Sequence, residues 1–234
     1  MGGLEKTGKI AHQLGLKVAQ GAWLDADLIS NEEEISNLIK AAKAGFLDIA
    51  VVGGEVLLRD DLSEEQLIQY INRVKQTLPE IPVAVAMEFS EIRHHPDVVS
   101  SVDVLLVSYY PFWEGVSIDE AIATLHTWHE EIKANFGNKE IIVGESGWPS
   151  CGDTFGDAVP SPETANYYFL NFISWTRANN VSYFYFEAFD EQWKATYEGS
   201  PNACWGIWDR NGNMKPQLHE VFEGKTIQDN WSGH

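Results

Sequence analysis

The chain has 234 residues, 44% of them hydrophobic, which is enough for one sizeable core. Against 16 Lys and Arg stand 35 Asp and Glu, a formal net charge of -19. A surface so acidic repels phosphate backbones and anionic lipid, so the expected partners include no nucleic acid and no membrane, while neutral or cationic ligands stay open. No apolar stretch reaches the length of a membrane span. The N-terminal "MGGLEKTGKIAHQ" lacks an apolar leader segment, so no signal peptide is expected in it.

The first fifteen residues read as one helix. Six short apolar runs follow: Leu16–Trp23, Leu47–Val52, Pro82–Met87, Val102–Val107, Glu140–Val143 and Val181–Phe186. They are nearly continuous and rich in β-branched or aromatic residues, as expected for strands buried on both faces. Helical segments lie between them, with legible starts. Ser30–Glu33, Ser63–Gln66 and Ser117–Glu120 fit the capping box, and Ser161-Pro162 places a cap before Pro at the first helical position. In "LIQYINRVKQTL", Leu67, Ile71, Val74 and Leu78 fall on one face. Repeated alternation of this kind predicts an α/β fold with a parallel sheet. Units of roughly 25–45 residues favour a TIM-type (β/α)8 barrel over a doubly wound sheet, and no G-x-G-x-x-G opens a helix. Six strand–helix units are visible where a complete barrel has eight. The reading is a single catalytic-type barrel domain over residues 1–222, with a polar and loose tail over 223–234. An incomplete sheet exposes apolar edges at Leu16–Trp23 and Val181–Phe186, which invite self-association into a homo-oligomer.

Catalytic groups of such barrels sit at the carboxyl ends of strands. Here "VVGGEVLLRDD" places Glu55 after the second run and "IIVGESGWPS" places Glu145 after the fifth. Glu88 and Glu187 end the third and sixth, and the fourth ends in "SYYPFWEG". A lone Glu after a strand often caps the next helix. Two that each follow a Val and then glycine, one in Val-Gly-Gly-Glu and one in Val-Gly-Glu, suit a working pair, one carboxyl protonating a leaving oxygen while the other attacks the anomeric carbon or activates water. Nine Trp serve either as core filling or as flat platforms for sugar rings.

At "VGGEV", "SYYPFWEG", "GESGWPS", "FYFEAFDEQWKA" and "ACWGIWDRNG" the chain resembles glycoside hydrolase family 17, over residues 3–216. That family consists of β-1,3-glucan hydrolases and transglycosidases on retaining (β/α)8 barrels, and the resemblance is to its bacterial and fungal branch. It implies Glu55 as acid/base and Glu145 as nucleophile. It further implies Tyr110 close to the nucleophile, Trp113 and Trp148 as sugar-packing aromatics, and Glu187, Asp190 and Glu191 lining sugar subsites. Glu88 and Trp23 close neighbouring strands and are weaker candidates. A neutral β-glucan is the implied substrate, with no cofactor and no metal, and the family favours a secreted or cell-envelope location.

Three positions depart from the family pattern. Gly54 stands where the family has an Asn that binds the sugar 2-hydroxyl, Ser108 replaces another frequent Asn, and Gln192 stands where a Pro is common. Loss of the first contact predicts a rate lower by about 10²–10³. Two rival readings follow from Gly54 and the missing strands: a glucan-binding protein of little activity, and a self-associating barrel fragment. Cys151 and Cys204 form either one disulfide, which would imply an oxidising compartment, or two free thiols.

Overall fold

The computed structural model describes residues 6–216 and 218–232. The chain divides into two compact units, Met1–Val107 with Asn138–Ile141 and Ser108–Gly137 with Ile142–His234. In chain order the elements are α1 (Thr7–Gln13), β1 (Ala19–Ala22), α2 (Leu28–Lys43), β2 (Ile49–Gly54), α3 (Glu64–Thr77), β3 (Val83–Glu88), α4 (Phe89–Ile92), α5 (Pro96–Ser101) and β4 (Val104–Ser108). After these come α6 (Ala121–Phe136), β5 (Glu140–Glu145), α7 (Pro162–Asn179), α8 (Lys194–Glu198) and α9 (His219–Phe222). The strands follow one another in the order β1-β2-β3-β4-β5, the α/β alternation of a TIM-type barrel, with five strands among the described residues.

In the first unit, β1 pairs with β2 in parallel, Ala19 opposite Ile49, and β2 pairs with β3, Ala50 opposite Val83. Their Val and Ala side chains face packing on both sides, and Ala50, Val52, Val83 and Ala84 are fully buried. The predicted face of α3 is realised, with Leu67, Ile71, Val74 and Leu78 all buried. The Ser63 capping box is also present, Ser63 and Gln66 each satisfying the other's backbone N–H. The Ser30 box is not. Asp27 caps α2 three residues earlier, accepting from the N–H groups of Ile29 and Ser30, and leaves Ser30 inside the helix.

In the second unit, Ser161 caps α7 in a box with Thr164, and Pro162 takes the first turn as predicted. The Ser117 box does not form, because residues 117–120 make a turn and α6 begins only at Ala121. The predicted sixth strand reduces to a single parallel bridge, Val143 to Tyr183. The ladder stops there because the next N–H groups find other acceptors: Phe186 donates to Ser146 and Glu187 to Trp205. The described part of the tail, residues 223–232, is docked, contrary to the expectation of a loose one. Asn171 and Ser174 of α7 are buried polar side chains that need partners. Each finds one within α7, Asn171 at Tyr167 O and Ser174 at Leu170 O, and the tail adds a second: Asn230 donates to Asn171 Oδ1 at 2.8 Å and Ile227 N–H to Ser174 Oγ at 3.0 Å, while Trp231 is buried. Cys151 and Cys204 are joined in a disulfide, so both alternatives of the sequence reduce to one.

Candidate active site

In the first unit the pairing of β2 with β3 shifts register between Val51 and Gly54. Gly53 sits at φ 77°, and a Cβ there would lie 2.6 Å from Val56 Cγ2, so only glycine fits. Glu55 follows at φ 52°, an uncommon left-handed conformation for a residue with a side chain. Its N–H still donates to Ala86 O at 2.9 Å, the last bond of the ladder, and the residue is half-buried. Gly54 is open by contrast, and a Cβ would meet only Ala86 Cβ at 3.9 Å. Arg59 folds back over this turn and donates to Gly54 O at 2.5 Å and to Leu24 O at 2.9 Å. Trp23 is 55% exposed, with the Arg59 guanidinium stacked 4.3 Å from its ring centre. Glu88 caps α4 by accepting from Ser90 N–H at 2.8 Å, the bland role open to a carboxylate after a strand.

In the second unit β5 ends on Glu145. Tyr110 O–H donates to Glu145 Oε2 at 2.6 Å, a short charge-assisted bond that fixes the carboxylate, and Tyr109 N–H donates to the Glu145 carbonyl at 2.9 Å. The "ESGWPS" string holds this end in place. A Cβ on Gly147 would lie 1.9 Å from Phe186 O, so glycine alone permits the approach. Ser146 Oγ donates to Tyr109 O at 2.8 Å and lies 2.6 Å from Tyr168 Oη. The Tyr110 ring is held edge-on by Phe186 at 6.0 Å and Trp205 at 5.3 Å. Trp113 is half-exposed beside Trp205 and Phe155.

Trp148 corrects the sequence reading. Its indole is buried, stacks on Tyr168 at 5.5 Å and donates to Val159 O at 3.2 Å, so it fills the core and offers no face to a sugar. The remaining acids are engaged. Lys194 Nζ lies 2.6 Å from both Glu187 and Glu191, and Lys215 Nζ lies 2.7 Å from Asp190, whose other hydrogen bond comes from Gly206 N–H at 2.9 Å. Lys215 also donates to Ser150 Oγ at 2.7 Å and to Cys204 O at 3.0 Å. Burial pushes the Glu187 carboxyl up to about 7, against the pull of Lys194. Sequence reasoning missed Arg59, Lys194 and Lys215. Spacing could have found two of them, since Lys194 is three residues after Glu191 and Arg59 four after Glu55.

A family model described as the BtgE/BtgC glycoside hydrolase domain matches residues 1–206. The chain is 31% identical over 231 residues to the probable glucan endo-1,3-beta-glucosidase btgC of Aspergillus fumigatus, covering 87% of this chain and 33% of that protein. It therefore spans about a third of the length of that relative. It is 26% identical over 246 residues to the glucan 1,3-beta-glucosidase BGL2 of Candida albicans, covering 94% of this chain and 79% of that one. Among solved structures it is similar to the glycoside hydrolase family 17 β-1,3-glucanosyltransferase of Rhizomucor miehei, with TM-score 0.79, 29% identity, and 91% and 79% of the two chains covered. An active-site mutant of that transferase has been solved in complex with laminaritriose, with TM-score 0.78.

Proposed function

The chain belongs to the BtgE/BtgC glycoside hydrolase family, within glycoside hydrolase family 17, and we propose on that premise that it cleaves or transfers β-1,3-glucan with retention at the anomeric carbon. The observation that carries this reading is the carboxylate of Glu145, presented at the end of a strand and gripped by Tyr110. Glu145 attacks the anomeric carbon and forms a glycosyl-enzyme while Glu55 protonates the departing glycosidic oxygen. Glu55 then takes a proton from the acceptor, a water for hydrolysis or a sugar hydroxyl for transfer, as the ester to Glu145 breaks. Retention by this route calls for carboxyl groups about 5 Å apart. The half-exposed Trp113 and the exposed Trp23 supply stacking faces, and Tyr110, Glu187, Asp190, Glu191 and Glu88 supply polar contacts along the glucan. Proton NMR of the first-formed product tests the reading: the β-anomer is expected, and an initial α-anomer would contradict it.

A second reading is favoured by Gly54, which offers no side chain to the sugar 2-hydroxyl. In it the chain binds glucan with little turnover, and calorimetry would record saturable oligosaccharide binding without product. Self-association is proposed from the apolar side chains at the edges, Leu16 and Trp23 in the first unit and Tyr183 and Phe184 in the second, all more than a third exposed. Sedimentation showing only monomer at high concentration would exclude it.

A further inference from the structure

Arg59 commits every type of guanidinium nitrogen to a fixed partner. Nη1 donates to Gly54 O at 2.5 Å, Nη2 to Leu24 O at 2.9 Å and Nε to Asp61 Oδ2 at 2.7 Å, and the Trp23 ring covers the group at 4.3 Å. The side chain thus ties the exit of β1 to the exit of β2. The Arg59 N–H also donates to Glu55 O at 3.1 Å, so Glu55 is held on both sides, through the carbonyl before it and through its own. The Gly54 carbonyl belongs to the rigid peptide unit whose orientation sets φ of Glu55. That φ is 52°, a conformation that persists for a non-glycine residue only when its surroundings over-determine it. Gly54 contributes no stiffness of its own, since it has no Cβ and open space beside it. Lysine could not replace the fork, because it offers one point charge where three directed donors are used.

We propose that Arg59 is the positioning residue for Glu55, pinning the Gly54–Glu55 peptide so that the carboxyl is aimed for proton transfer. This rests on the reading of Glu55 as acid/base. The step Arg59 serves is protonation of the leaving oxygen, so its loss matters most when the leaving group needs a proton.

The test compares a β-1,3-glucan oligosaccharide with an aryl β-glycoside of the same glucan whose leaving group departs unprotonated. For Arg59→Met, kcat/KM on the oligosaccharide should fall roughly 10- to 100-fold, the scale of a catalytic group misplaced by about an ångström. On the aryl substrate kcat/KM should change less than about threefold, with kcat and KM falling together as the glycosyl-enzyme accumulates. Glu55→Gln should show the same pattern more strongly, and adding Arg59→Met to it should cost nothing further. A merely structural arginine would lower both substrates alike, and that result overturns the proposal, as does unchanged oligosaccharide turnover. If Glu55→Gln keeps full oligosaccharide turnover, the acid/base reading itself fails. If Glu55→Gln shows the pattern and Arg59→Met does not, only the role of Arg59 falls. Should thermal melting show Arg59→Met unfolded, Arg59→Lys carries the comparison, with an intermediate loss confined to the oligosaccharide expected.

Discussion

His129 makes the stability of the second unit depend on pH in a way that can be worked from its surroundings. It lies on the inner side of α6, 2% exposed, with its ring 5.3 Å from Trp175 and Nδ1 3.2 Å from the Tyr109 hydroxyl. Burial, with help from the charge of Lys133, lowers its pKa from 6.5 to about 4. Because the folded value is depressed, the stability is fully present above pH 6.5 and is lost as pH falls toward 4. Across that window the unfolded chain binds a proton that the folded chain refuses. At about 1.4 kcal/mol per pH unit this amounts to roughly 3 kcal/mol. Urea denaturation at pH 7.5 and pH 4 should show the native protein losing about that much more stability than His129→Gln, in which the titrating group is gone. Equal losses in the two proteins would refute the reasoning.

Three further outcomes are expected. Gly54→Asn should fold without strain, since its Cβ meets only Ala86 Cβ at 3.9 Å. If that side chain recovers the 2-hydroxyl contact, turnover of β-1,3-glucan oligosaccharides should rise by about 10²-fold, which initial rates would read. Tyr110→Phe removes the 2.6 Å hydrogen bond to Glu145, and at about 1.5–3 kcal/mol for a bond to a charged group kcat/KM should fall roughly 10- to 100-fold with melting little changed. Replacing both Cys151 and Cys204 by Ser opens a loop closed across a sequence separation of 53, which chain entropy values at about 4 kcal/mol, visible as a lower urea midpoint.

The parts of the fold legible in the sequence are those set by local periodicity. The buried face of α3 and the cores of β2, β3 and β4 follow from runs of Val, Ala and Leu that have one way to hide. Helix starts were legible only where no competing cap stood nearby, as at Ser63, whereas Asp27 displaced Ser30. At the site, the positions of Glu55 and Glu145 at strand ends were readable because a strand followed by glycine and a carboxylate is a contiguous signal. The partner of Asp190 was not. Lys215 reaches Asp190 across 25 residues and Ser150 across 65, and no spacing rule announces such pairs. Trp148 was misread for a related reason, because the chain shows that an indole follows β5 and does not show that Tyr168 and Phe112 bury it.

The most direct test of the central claim is mass analysis of the products formed from β-1,3-glucan oligosaccharides by this chain, by Glu145→Gln and by Glu55→Gln. The account predicts shortened products for hydrolysis, or lengthened ones for transfer, from the native chain, and neither from the two variants in their folded state. Products that persist undiminished in either variant would contradict the assignment of Glu145 and Glu55, and a native chain that leaves every oligosaccharide intact would contradict the proposed activity.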